Sequence, residues 1–160
     1  MSGSRPVVTD TGPLIHLAEA DALGLLDQFG TVLVPHTVDE ELRAGGVPEA
    51  FASVDFERRT VDTDDRWPEL DPGESAALAL TERAGGMILT DDMAARKRAN
   101  EFGIEVHGSI GVVLTAYADG RLDADEAIDS VRALEHESTL YLSKPLVNRA
   151  MRRIEEDASE

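Results

Sequence analysis

At 160 residues, 42% of them hydrophobic, the chain has the size of one domain that buries about two-thirds of its unfolded surface. It contains no cysteine, which excludes disulfides and thiolate metal sites. Acidic residues outnumber basic ones 32 to 15, a net charge of −17, and this leaves no basic footprint for nucleic acid at low salt.

The acids are scattered through periodic, core-forming sequence and are not collected in a tail, which argues against disorder. Lys97 and Lys144 are the only lysines. The pattern suggests a chain adapted to high internal salt, where a Debye length of about 3 Å removes most surface repulsion. Stability that failed to rise between low and molar potassium chloride would contradict this. No apolar run is long enough for a membrane span, and Met1 to Arg5 show no signal-peptide pattern. The expectation is a cytoplasmic protein with no membrane partner.

In chain order, Pro6 to Thr9 read as a strand that delivers Asp10 to a strand-to-helix turn. A helix follows over Pro13 to Ala20, with Leu14, Leu17 and Ala18 on one face, and a second short helix over Ala22 to Phe29 stops at Gly30. Thr31 to Pro35 is a buried-strand pattern. Thr37 and Glu40 have capping-box spacing for the next helix, which leaves Glu41 free to point elsewhere. Gly45, Gly46 and Pro48 close that helix. Residues 47–70 carry weaker signals: an edge strand over Phe56 to Val61, then a charged loop from Asp62 to Pro68 around the single tryptophan.

A second capping-box pattern, Asp71 to Glu74, opens a helix that stops at Gly85 and Gly86. Met87 to Thr90 form another buried strand, ending in Asp91 and Asp92. A helix with Arg96, Lys97 and Arg98 on one face runs to Gly103, and Ile104 to His107 are a last short strand. Three helices complete the chain: Ile110 to Ala118, Ala124 to Leu134 after an Asp123 N-cap, and Pro145 to Glu156. The repeating strand–helix order predicts an α/β fold with a parallel sheet covered on both faces. We expect a single domain over residues 1–160, with a core at about 6–107 and a helical C-terminal extension at about 108–157.

The acids of interest fall at strand ends or on adjoining helix turns: Asp10, Glu41, Glu74, Asp91 and Asp92. Carboxylates converging in one cleft repel each other unless a cation compensates. Mg²⁺ and Mn²⁺ take oxygen ligands, and they activate water and stabilise displacement at a phosphodiester. Structural roles compete at each position. Asp10 could cap the helix after it, Glu41 could be solvated, Glu74 is explained by its capping box, and one of Asp91 and Asp92 should cap the following helix. Arg96, Lys97 and Arg98 could equally be a solvated face. No histidine pair has helical metal-ligand spacing, and Tyr117 and Tyr141 read as core or interface residues rather than as base-stacking platforms.

Four segments together resemble the PIN-domain ribonucleases, most closely the small prokaryotic branch related to the toxins of type II toxin–antitoxin modules. They are VVTDTGPLIHL (7–17), VPHTVDEEL (34–42), DPGESAALALTERAG (71–85) and ILTDDMAARKRA (88–99), in the family's order and spacing. The resemblance implies a three-layer α/β/α fold and a Mg²⁺ or Mn²⁺ site centred on Asp10. Glu41, Glu74 and Asp92 complete its acids, and Asp91 is an adjacent acid able to replace Asp92. Thr11 and Thr90 match the family's polar positions, and Arg96 matches a recurrent arginine able to contact phosphate. Gly12 stands where the family often has Ser or Asn. The activity implied is metal-dependent endoribonuclease, as a toxin or as a stand-alone enzyme. The implied partners are RNA, a second copy of the chain, and an antitoxin bringing Arg or Lys to the acids, with the apolar helices after residue 108 as an interface.

Two other functions compete. An aspartate-nucleophile phosphatase needs a second aspartate where Gly12 stands, and neither lysine has a suitable strand context. A catalytically inactive PIN-like fold serving as a binding or assembly module remains an alternative.

Overall fold

The computed structural model describes residues 5–46, 51, 54–63 and 66–158. Five strands form one parallel sheet: β1 (Val7–Thr9), β2 (Val32–Pro35), β3 (Phe56–Arg59), β4 (Met87–Leu89) and β5 (Val106–His107), in the order β3-β2-β1-β4-β5. Val8 of β1 pairs in register with Leu33 of β2 and Ile88 of β4, so all three strands point their carboxyl ends the same way. The order reverses direction between β1 and β4. In parallel α/β sheets such a switch point opens a crevice beyond the strand ends.

Helices cover both faces, giving three α/β/α layers. They are α1 (Thr11–Glu19), a 3-10 helix (Leu23–Phe29), α2 (His36–Ala44), α3 (Pro72–Ala84), α4 (Met93–Glu101), α5 (Ser109–Ala118), α6 (Ala124–Glu137) and α7 (Lys144–Ala158). The three central strands, β1, β2 and β4, are short and mostly apolar because both faces are buried. Alternation splits them: Val7, Val32, Val34, Met87 and Leu89 face a core with Leu14, Leu17 and Leu26. Val8, Leu33 and Ile88 face Trp67, Leu78, Leu80, Ala95 and Ala99.

Local chemistry explains most boundaries. Asp71 and Glu74 form a complete capping box with Pro72 at the first turn of α3, and Gly85 ends the helix at φ +74°. Asp123 and Glu126 do the same for α6. Small residues Gly73, Ala76, Ala77 and Ala79 let α3 lie close against its neighbours. β3 is an edge strand, and its exposed Glu57, Arg58 and Arg59 keep that edge charged.

Three expectations need correction. The Thr37–Glu40 capping box does not form: α2 starts two residues earlier than that box requires, at His36 after Pro35, and no side chain caps it. Glu40 instead lies one turn from His36, 3.6 Å away. The second short helix is a 3-10 helix starting at Leu23. The apolar faces of α5, α6 and α7 are turned inward: Val112, Val113, Val131, Leu134, Val147 and Ile154 belong to the same core as Leu14 and Leu17. Of the 47–70 region, residues 47–50, 52–53 and 64–65 lie outside the described residues. Among the described residues, no helix is long and apolar enough to cross a membrane.

Candidate active site

β1 ends at Thr9, so Asp10 emerges at the carboxyl edge beside β4, where its N–H bonds the Leu89 carbonyl at 2.9 Å. It also caps α1: the Thr11 N–H donates to its Oδ1 at 2.7 Å. The Thr90 hydroxyl donates to its Oδ2 at 3.0 Å. Asp10 is only 5% exposed. Burial pushes its carboxyl up to about 6, against the Thr11 and Thr90 hydrogen bonds and with the charges of Asp71 and Glu41 adding to the rise.

Glu41 reaches the same place from α2. Glu41 lies beside the start of α1, and its Oε2 accepts the Thr11 hydroxyl at 2.8 Å. Its carboxylate rests over Gly73, where a Cβ would come within 2.5 Å of Oε1. Glu74 arrives with α3 and accepts the Asp71 N–H at 3.1 Å through Oε1. Burial pushes Glu74 up to about 7, with the charges of Asp71, Asp92 and Asp10 reinforcing it. Capping and membership of the acidic cluster thus coexist at Glu74.

At the end of β4 the two neighbouring acids divide the work. Asp92 is the N-cap of α4, accepting the Ala95 N–H at 2.9 Å through Oδ2. Asp91 is locked from three directions. Ser109 donates its N–H to Oδ1 at 2.7 Å and its hydroxyl to Oδ2 at 2.6 Å, and His16 Nδ1 lies 2.7 Å from Oδ2. Burial acts to raise Asp91, but His16 and Ser109 hold it below the usual carboxylate value.

These groups line one cleft of about 410 Å³ with Asp10, Thr11, Glu41, Asp71, Glu74, Asp91 and Asp92 on its acidic side. Thr90 supports Asp10 from behind and is fully buried. Arg96 lies outside the cleft lining. Its guanidinium packs where a Cβ on Gly108 would sit, close to Asp91 Oδ1. Sequence reasoning missed His16, Ser109 and the stretch Thr139 to Tyr141, which complete the cleft or brace it. It read Asp71 only as a cap. Tyr141 is not a core residue: it is 87% exposed at the cleft mouth. Tyr117 does pack against the core, its hydroxyl donating to the Ile154 carbonyl at 3.3 Å.

The donor set is all oxygen and anionic, the chemistry of a hard divalent ion. The carboxyls of Asp10 and Glu74 are raised first by burial and then by neighbouring negative charge, and a bound cation would offset both. Asp10, Glu41, Glu74 and Asp92 therefore fit such an ion, although among the described residues no three acidic or imidazole groups already close into a cage. No curated protein matches the sequence. A family model described as a PIN domain matches residues 6–156. PIN domains are generally nucleases and typically use divalent metal ions. A match over nearly the whole chain, on a parallel sheet whose switch point gathers the acids, makes this chain a member of the PIN-domain family.

Proposed function

We propose that the chain is a cytoplasmic, metal-dependent endoribonuclease that hydrolyses RNA phosphodiester bonds. The observation that carries this reading is the convergence of Asp10, Glu41, Glu74 and Asp92 on one cleft at the β1–β4 switch point. Asp10, Glu41, Glu74 and Asp92 would hold Mg²⁺ or Mn²⁺, which when bound supplies charge neutralisation at the phosphodiester and activation of the attacking water.

The chain's own residues set that site up. Thr11 orients two acids at once, through its N–H to Asp10 and its hydroxyl to Glu41. Thr90 fixes the other oxygen of Asp10 and, through the Asp92 N–H at 3.2 Å, the start of α4. The α3 capping box holds Glu74 while its Oε2 accepts no hydrogen bond among the described residues.

Calorimetric Mn²⁺ titration in molar potassium chloride tests the reading, because the salt screens scattered surface acids. Wild type should bind and Asp10→Asn should not, and Mn²⁺-dependent RNA cleavage should vanish with it. Saturable binding that survives Asp10→Asn would move the ion elsewhere. The open spacing of the acids favours a second reading, an inactive binding module. It predicts neither Mn²⁺ binding nor cleavage.

A toxin role adds a partner protein that brings Arg or Lys into the acidic cleft, together with a homodimer. Copurification of the chain with a basic partner that blocks Mn²⁺ binding supports that role. A lone monomer of unhindered activity supports a stand-alone ribonuclease.

A further inference from the structure

The cleft is not lined by acids alone. Besides the acids, its lining includes Ile15 of α1 and Leu140 and Tyr141 of the segment between α6 and α7. Tyr141 is 87% exposed, so its ring is open to a ligand in the cleft. The segment that carries it is pinned. Glu19 Oε1 accepts both the N–H and the hydroxyl of Thr139, each at 2.8 Å. Ser138 Oγ donates to the Leu134 carbonyl at 2.6 Å and accepts the Leu140 N–H at 3.2 Å. The ring is therefore presented on a braced segment.

We propose that Ile15, Leu140 and Tyr141 form a nucleobase-stacking subsite beside the acids. The inference rests on the nuclease reading and adds a substrate-contacting subsite to it. With a phosphodiester at the acids, the adjoining base meets the apolar wall within the same cleft. A chain of net charge −17 gains little from the phosphate backbone. Contacts independent of charge must then supply the affinity. Stacking on an aromatic face does so, and it tolerates any base. In a duplex those base faces are already occupied, so the wall selects unpaired strands. The cleft volume, about 410 Å³, is that of a small-ligand site. A protein partner needs about 800 Å² on each side, more than three side chains supply.

The test is binding of a labelled eight-nucleotide RNA, its abasic counterpart and its duplex to the full chain. It is run in molar potassium chloride with Ca²⁺, an ion of the same oxygen preference. Wild type and Tyr141→Phe should bind the base-bearing strand about tenfold tighter than the abasic one, and tighter than the duplex. Tyr141→Ala should lose that preference while its unfolding midpoint stays unchanged, since the side chain is exposed. Preference retained by Tyr141→Ala overturns the subsite, as does equal binding of the abasic strand or duplex to wild type. Any of these leaves the nuclease reading standing if Mn²⁺-dependent cleavage persists. If neither strand binds and no cleavage occurs, both fall. A shift from dimer to monomer in Tyr141→Ala, with base preference intact, gives the wall to a second copy and overturns the proposal.

Discussion

The Thr90 hydroxyl donates to Asp10 Oδ2 at 3.0 Å and accepts the Asp92 N–H at 3.2 Å, so one buried oxygen positions two acids of the cleft. Thr90→Val keeps the shape and removes the hydroxyl, leaving a buried carboxylate with one donor fewer. We expect a loss of about 1–3 kcal/mol in stability, with weaker Mn²⁺ binding. Urea unfolding and calorimetry check both, and Thr90→Ser should recover most of each. An unchanged midpoint in the valine variant would show that the hydroxyl does not hold Asp10.

Asp91 and Asp92 are adjacent, yet their amide substitutions should separate cleanly. Asp91→Asn weakens the contacts to His16 and both Ser109 donors, and should destabilise the fold by about 2 kcal/mol. Asp92→Asn preserves a good N-cap for α4, because Asn and Asp cap almost equally well. Its stability should move by less than about 0.5 kcal/mol while Mn²⁺ affinity drops. If Asp91→Asn alone abolished Mn²⁺ binding in a folded protein, the assignment of the two acids would have to be exchanged.

Gly73→Ala offers a substitution with no charge change. The added methyl would meet Glu41 Oε1 and Oε2 at 2.5 and 2.9 Å, and the flexible carboxylate should swing away. Stability should hold within about 1 kcal/mol, since Ala suits a helix better than Gly. Mn²⁺ affinity and activity should fall together by roughly tenfold, the scale of a misplaced ligand support. Retained affinity would mean that Glu41 binds no ion from its present position.

The pH dependence follows from Asp10 and Glu74. Asp10 ordinarily titrates at 3.8 and here at about 6, and Glu74 moves from 4.5 to about 7. The folded chain therefore binds protons more tightly than the unfolded one across that window. Without divalent ions, stability should rise as pH falls from 8 toward 5, by on the order of 2–3 kcal/mol, with Asp10 contributing most because Glu74 is partly solvated. Below about pH 4 the depressed carboxyls of Asp91, Asp39 and Glu105 act in the opposite direction. Saturating Mn²⁺ should flatten the upper slope. Urea midpoints that stay level between pH 8 and 5 in chelator would contradict the burial of these charges.

Much of this was legible because local chemistry announced it. The buried triplets of β1 and β4, the capping box at Asp71 and the N-cap at Asp123 depend on neighbours within four residues. Thr37 misled because spacing alone cannot reveal that Pro35, extended at ψ 145°, hands the helix to His36. That two-residue shift leaves Glu40 outward and still brings Glu41 to Thr11. His16 and Asp91 are 75 positions apart, and Glu19 and Thr139 are 120 apart. Neither pairing leaves a periodic trace. The acids were readable as types at strand ends, whereas the side chains that brace them depend on how α1, α5 and the α6–α7 segment dock.

The order in which the chain is made has a consequence for when its cleft exists. Asp10, Glu41, Glu74 and Asp92 are all joined by residue 92, but Ser109 and Tyr141 are not. The core under α1 also waits for Val112, Val131, Leu134 and Ile154. A chain still on the ribosome carries its cleft acids unbraced and its first helix half covered. Roughly fifty further residues take about 3–10 s to add. Completion of the cleft is therefore a late event of synthesis, and a truncated product carries the full acidic set without a finished cleft.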